Sequence, residues 1–296
     1  MASAFAPALA HSGTAWHAVE PTAGDFRRLT TLVHDISGIS LNETKRALVT
    51  HRVSPRVRAL GFKTFGEYVD YAFAPENEQE MVRLLDLLTT NETQFFREPQ
   101  HFEFLDNKVL PAWREAADAG RRPRLIRAWS AACSTGQEPY SLAMQLMWHF
   151  PSDQGWGIHI TATDLSTRAL DVARQAEWPI DRASQIPEIY RHEFMLRGVG
   201  EREGRMRATR TLRESVQFAR LNLNDEQYDV TGPFDMIFCR NVLIYFTPEG
   251  RAKVVDRLTR YLAPGGLLFV GHAESLHAHR GELRVVSPTI YERVAT

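Results

Sequence analysis

The stretch Leu125-Ile126-Arg127-Ala128-Trp129-Ser130-Ala131-Ala132-Cys133-Ser134-Thr135-Gly136-Gln137-Glu138-Pro139 decides the fold. Its first half is a short apolar run, read as a strand over Leu125 to Ala132. Its second half is small and glycine-containing, and it runs into a helical pattern over Pro139 to His149. Strand, tight turn, helix is the opening unit of an open α/β sheet. Outward from it, the same rhythm predicts further strands at Ile158 to Thr163, Val216 to Ala219, Phe234 to Cys239 and Leu267 to Val270. A helix is predicted over Pro248 to Tyr261, with Thr247 as its N-cap, Pro248 in its first turn and Pro264-Gly265-Gly266 marking its end. Two β-rich stretches around Ser287-Pro288 close the chain as an antiparallel hairpin, so the sheet is mixed, with helices on both faces.

Upstream the periodicity is helical. Phe26, Leu29, Val33 and Ile36, and later Met81, Leu84, Leu85 and Leu88, recur three to four residues apart, which predicts a small all-α domain over 25–98. Residues 1–24 read as a flexible tail. A connecting helix with Phe102, Leu105, Val109 and Trp113 on one face opens the second domain, 99–296. Residues from about 179 to 214 are charged, contain Gly198, Gly200 and Gly204, and break the alternation, so they are read as an inserted subdomain.

Composition narrows the function classes. A 296-residue chain with 44% hydrophobic and 24% charged residues is an ordinary globular protein, not a collagenous, disordered or membrane-spanning one. A net charge of −1 argues against a protein built to neutralise nucleic-acid phosphates. Two cysteines, Cys133 and Cys239, cannot supply a disulfide scaffold or a four-thiolate zinc site. The Ala-rich start lacks a basic stretch and is broken by Pro7, His11 and Gly13, so it is not a secretory signal, and the cytoplasm is the expected location.

In an open α/β sheet, ligands bind at the carboxyl ends of the strands, near the point where strand order reverses. The small residues after Ala131 let a ligand approach the backbone, Gly136 before a helix start exposes N–H groups to an anion, and Glu138 suits an ammonium group. The stretch lacks a full G-x-G-x-x-G pattern, so an ordinary strand-to-helix turn explains it equally well. Asp164, ending the second strand, suits the two hydroxyls of a ribose, or it caps the helix starting near Ser166.

Three longer segments together resemble the CheR family of chemotaxis-receptor methyltransferases: Thr89 to Glu98 (TTNETQFFRE), Trp129 to Ser141, and Phe234 to Phe246. The likeness runs from about Phe26 to the C-terminus with all segments in order. It implies an all-α N-terminal domain, a class I methyltransferase-like domain and an inserted β-subdomain. It implies S-adenosylmethionine as cofactor, S-adenosylhomocysteine as product and no metal. Carried onto matching positions, Asn91, Thr93 and Arg97 contact the cofactor or frame its methyl. Glu138 and Asp164 hold its amino-acid and ribose parts, Asn222 and Leu223 flank the adenine, and Arg240 and Asn241 complete the site. Arg97 and Tyr245 face the reacting centre.

The implied reaction needs no general base, because a glutamate nucleophile titrates near pH ~4.3 and is already ionised at neutrality. Lys45, Arg46, Arg52, Arg56, Arg58 and Lys63 cluster with only Glu43 opposing them, a basic surface suited to the glutamate-rich cytoplasmic signalling domain of methyl-accepting receptors; a solvated helix face explains them too. Pro55 is expected to break that basic helix at Ser54. The glycine-rich insert resembles family members whose β-subdomain adds a receptor C-terminal tail as a strand. Alternatives are a small-molecule or RNA methyltransferase, and a cofactor-binding regulator without catalysis. His272, near a strand end, is read as structural.

Overall fold

The computed structural model describes residues 19–276 and 282–294. Four helices form the first unit: α1 (Ala23–Ser37), α2 (Arg46–Ala59), α3 (Phe65–Ala72) and α4 (Glu78–Leu88). Their apolar faces meet in one cluster with Leu29, Val33, Val53, Val57, Tyr68 and Leu84 fully buried. Order begins earlier than the expected tail allows. The Thr22 hydroxyl accepts from the Asp25 N–H and the Asp25 carboxylate accepts from the Thr22 N–H, so α1 starts inside the segment read as flexible. Residues 1–18 of that tail lie outside the described residues.

The expectation of a break at Pro55 is corrected: α2 continues through it. Pro55 removes one backbone hydrogen bond, but Val49, Val53 and Val57, spaced at i, i+4, are buried on the same face, and the buried Ser54 hydroxyl donates to the Val19 carbonyl at 2.6 Å. Side-chain burial worth roughly 1.5 kcal/mol or more per valine outweighs one lost bond.

The second unit opens with α5 (Pro99–Phe104), which passes through a π-turn at Leu105–Val109 into α6 (Leu110–Asp118). Then follow β1 (Leu125–Ala131), α7 (Gln137–His149), β2 (Gly157–Asp164), α8 (Thr167–Gln175), β3 (Glu177–Pro179), α9 (Glu188–Phe194), β4 (Met195–Arg197), β5 (Arg205–Ala208), α10 (Arg210–Glu214), β6 (Val216–Arg220), β7 (Phe234–Cys239), α11 (Pro248–Tyr261), β8 (Leu262–Val270), β9 (Leu283–Ser287) and β10 (Ile290–Arg293).

The main sheet has seven strands in the order β6-β2-β1-β7-β8-β10-β9. The first five run parallel, and β10 pairs antiparallel with both β8 and β9. One face packs Ala128, Phe238 and Phe269 against Leu105, Leu142 and Leu146; the other packs Trp129, Ile237 and Leu268 against Val254 and Leu258 of α11. This is the mixed sheet, covered on both faces, that the sequence predicts. Strand β8 starts five residues before the expected Leu267, because Leu262 already pairs with Phe234 and residues 263–266 bulge out before pairing resumes at Met236–Leu267. A side chain at Gly266 would meet the Ala263 carbonyl oxygen at 2.8 Å, so the bulge needs glycine there. The insert folds as a separate three-stranded sheet, β3-β5-β4, beginning at Glu177. No helix among the described residues is long and apolar enough to cross a membrane.

Candidate active site

Strand β1 is flanked by β2 on one side and β7 on the other, so the strand order reverses beside it. A pocket opens at the carboxyl ends of β1, β2, β6 and β7, and the helical unit forms its far wall. The loop after β1 makes room for it. Ala132 (φ 88°), Ser134 (φ 50°) and Gly136 (φ 94°) take left-handed conformations, and the N–H groups of Ala132 and Cys133 both donate to the Thr163 carbonyl. Two non-glycine residues held in this sparsely populated region are strain concentrated at the pocket wall. At Gly136 an added Cβ would lie 3.0 Å from Ala173 of α8, so loop and helix can close only on glycine.

All ten residues assigned to cofactor or reacting centre line this one pocket: Asn91, Thr93, Arg97, Glu138, Asp164, Asn222, Leu223, Arg240, Asn241 and Tyr245. Glu138 and Arg240 form its buried charged floor. Glu138 accepts from the Ser130 hydroxyl at 2.7 Å and from Arg240 Nε at 2.8 Å. Arg240 Nη1 donates to the Arg97 carbonyl at 2.7 Å and to His101 Nδ1 at 3.0 Å, which leaves Nη2 as the nitrogen available to a ligand. A carboxylate with spare lone pairs beside a guanidinium with a spare donor edge complements both ends of an α-amino acid.

Asp164 is not the N-cap of α8. The N-cap of α8 is Ser166, whose hydroxyl accepts from the Ala169 N–H. Asp164 instead accepts the Ser134 N–H at 2.8 Å and the Ser166 N–H at 2.9 Å, tying the β1 and β2 loops together, one oxygen to each. Burial raises its pKa and these N–H groups oppose the rise. Asp164 also lines the pocket. Among the described residues Arg97 donates to the Glu92 carbonyl, at 3.2 Å, and the half-buried Tyr245 has its backbone carbonyl taken by the Ser40 N–H.

Asn222 turns its amide to the Ile36 carbonyl at 2.7 Å, and Asn224 reaches the carbonyls of Asp35 and Ile36. Ile39 bridges Phe246, and a side chain at Gly38 would meet the Phe246 ring at 2.5 Å. The segment after α1 therefore roofs the pocket, with Ile39, Leu41 and Leu48 in its lining. Nothing in the periodicity of that segment marked it.

The basic cluster is not one free face. Arg56 makes a forked pair with the buried Glu80, Nε to Oε1 at 2.8 Å and Nη2 to Oε2 at 2.5 Å, and the Tyr68 hydroxyl also donates to Glu80. Burial alone would raise the Glu80 pKa; its bonds to Arg56 and Tyr68 bring it below the ordinary value. Arg52 caps the carboxyl end of α4 through the Leu88 and Thr89 carbonyls, and Arg46 holds the Pro21 carbonyl. Lys45 is exposed and lines the pocket. Reading charge along the chain could not show that the partners lie 24 to 37 residues away.

Glu98 and His101 were missed, although they adjoin the Asn91–Arg97 motif. Glu98 sits at φ 56° and accepts from the Asn241 side chain and the His272 N–H, both at 3.2 Å. Burial alone would raise its pKa; Arg240 and these donors hold it below the ordinary value. Burial, and then Arg240, lower the His101 pKa to about 4. Because its Nδ1 faces a guanidinium donor, the neutral ring carries its proton on Nε2, 2.9 Å from Thr289 Oγ1. Glu98, His101 and His272 bring three ligand atoms within 4.8 Å of one another, yet Arg240 already occupies His101 Nδ1 and repels a cation there. Cys133 and Cys239 are buried free thiols.

Comparison with known proteins agrees with this geometry. Residues 24–89 match the family model described as CheR methyltransferase, all-alpha domain, and residues 91–291 match that described as CheR methyltransferase, SAM binding domain. Chemotaxis protein methyltransferase 2 of Pseudomonas aeruginosa is 38% identical over 274 residues, 91% of this chain and 93% of that protein. The chemotaxis protein methyltransferase of Salmonella typhimurium is 38% identical over 267 residues, 90% of this chain and 88% of that protein. That of Borreliella burgdorferi is 33% identical over 273 residues, covering 92% and 95%. With both family models matched in order across nearly the whole described chain, and the motif segments converging on one pocket, this protein belongs to the CheR methyltransferase family.

Proposed function

We propose that this protein transfers a methyl group from S-adenosylmethionine to glutamate side chains of chemotaxis receptors, in the cytoplasm, forming methyl esters. The observation that carries the reading is the convergence of the ten assigned residues, up to 154 positions apart (Asn91 to Tyr245), on one pocket at the sheet's switch point. The donor set fits the cofactor. Glu138 and Arg240 Nη2 would hold its ammonium and carboxylate, Asp164 its ribose hydroxyls, and Asn222 and Leu223 would flank the adenine. Asn91, Thr93 and Asn241 would line its sulfonium side. When bound, it supplies a methyl group on a positively charged sulfur.

The chain's own work is positioning. The receptor carboxylate is ionised at neutral pH, so no side chain has to remove a proton. The one buried imidazole near the floor, His101, is neutral with both ring nitrogens engaged and does not face the pocket as a base. Arg97, with a single weak internal contact among the described residues, would fork onto the incoming carboxylate, and Tyr245 would frame nucleophile and methyl.

The receptor's signalling domain would dock over the helical unit, where Lys45, Arg46, Arg52, Arg56 and Arg58 supply positive charge even where part of each guanidinium is already engaged. A receptor tail peptide would add to β4, the outer strand of the insert, beside the exposed Leu196 and Val199. Incubation with methyl-labelled cofactor and receptor cytoplasmic domains should give base-labile label on the receptor. Base-stable label on RNA, with none on receptor, would overturn the reading.

A further inference from the structure

The segment after β8 holds a buried acid that the assignments above leave unused. Glu274 is 0% exposed, and no salt bridge to it is found among the described residues. Its ligands are main-chain N–H groups. Oε2 accepts from Gly271 and from Asn241, both at 2.7 Å, and Oε1 accepts from Ile244 at 3.1 Å. Burial raises its pKa, and the N–H groups of Gly271, Asn241, Ile244 and Leu243 oppose the rise. A buried carboxylate without a cation is a poor way to stabilise a fold, because its desolvation is offset only by hydrogen bonds.

What those bonds accomplish is local and directional. Asn241 sits at φ 57°, in the left-handed region that asparagine tolerates better than most side chains, and the Glu274 carboxylate accepts its N–H there. The clamp spans the turn from Asn241 to Ile244, directly before Tyr245. Gly271 closes it from the other side, since an added Cβ would lie 2.7 Å from both Asn241 Nδ2 and Glu274 Oε2. The converging N–H donors need acceptor oxygens and no donor. An amide of the same shape would turn an NH2 group against at least one of them.

We propose that Glu274 is a positioning residue: its carboxylate locks the Asn241–Ile244 turn and so aims Tyr245 at the reacting centre. The proposal rests on the assignment of Tyr245 made above. The test compares Glu274→Gln, Tyr245→Phe and the double variant at saturating S-adenosylmethionine with receptor cytoplasmic domain as acceptor. Turnover is counted per site that binds S-adenosylhomocysteine, so a loss of folded protein does not register. Glu274→Gln should lower turnover on the order of tenfold or more, and lower product affinity by less. The double variant should be no slower than Glu274→Gln alone, because a misaimed tyrosine has no hydroxyl contribution left to lose.

Full turnover per site in Glu274→Gln, with Tyr245→Phe impaired, overturns the clamp and spares the Tyr245 assignment. Harmless Tyr245→Phe beside an impaired Glu274→Gln overturns the Tyr245 assignment and this proposal together. Multiplied losses in the double variant overturn the coupling. Should Glu274→Gln not fold, amide exchange in the wild type decides: protected Asn241 and Ile244 N–H groups are required, and free exchange of either in the folded protein ends the proposal.

Discussion

Two arginine–carboxylate pairs, one in each unit, make the same bond for different ends. In the helical unit Arg56 grips Glu80 with two parallel bonds, and Tyr68 adds a third to the same carboxylate. In the sheet unit Arg240 gives Glu138 only Nε, spends Nη1 on a carbonyl and an imidazole, and faces a pocket. The first pair is closed. The second keeps donor and acceptor capacity in reserve, and a ligand is what reserve capacity in a buried site is suited to. The charges are alike in the two, although Arg240 is more deeply buried than Arg56; the difference that matters lies in what the remaining valences face.

The comparison breaks most visibly at Arg56. Arg56→Met should destabilise the protein by roughly 3 kcal/mol, since it leaves the buried Glu80 carboxylate with only the Tyr68 hydroxyl and Arg83 at 3.9 Å; the low end of the range applies because the Arg56 side chain is 27% exposed and Arg83 remains. Urea melts should show this, while cofactor affinity in the folded fraction stays unchanged. A melt within 1 kcal/mol (about the scale of one hydrogen bond) of wild type would make the closed pair ornamental.

Glu138→Gln should behave in the opposite way. Arg240 keeps its carbonyl and imidazole contacts and the nearby Glu98, so folding should change little, but S-adenosylhomocysteine should bind on the order of thirtyfold more weakly, about 2 kcal/mol for one charge-assisted bond. Calorimetry showing unchanged affinity would close the second pair too. Asp164→Asn sharpens the contrast on the other side of the pocket. The amide still accepts one of the two N–H groups, and affinity should fall about tenfold, a smaller loss of roughly 1.4 kcal/mol. Alanine is the wrong probe here, because it would strand the Ser134 and Ser166 N–H groups and confuse folding with binding.

The last expected effect is a slope with pH. His101 has its pKa depressed from 6.5 to about 4 by burial and then by Arg240. Between those values the unfolded chain binds a proton that the folded one refuses, so this residue's contribution is complete above pH 6.5 and is lost as pH falls toward 4. His101→Gln removes the linkage, and its Tm should therefore fall less steeply than that of wild type over this window. Parallel Tm curves would mean that the ring is not held neutral.

Much of this was legible in one dimension. Local periodicity located β7 and α11 to the residue, because alternation and helical spacing record which face of an element is buried. Motif order identified the pocket residues, because a cofactor site needs particular groups at particular strand ends. What the chain could not disclose was the company those groups keep. Arg56 and Arg52 read as surface charge until α4 folds against α2; Pro55 read as a helix breaker until three valines anchor the turns around it; Asp164 read as a cap or a ribose ligand and proves to bind two loops first. The pocket roof depends on Asn222 meeting Ile36 across 186 residues, and its floor on Arg240 meeting Glu138 across 102. Periodicity is a property of neighbours within a few turns, whereas hydrogen-bond satisfaction in a buried site is settled by whatever donors and acceptors the folded chain brings within about 3 Å, and only the tertiary structure decides which those are.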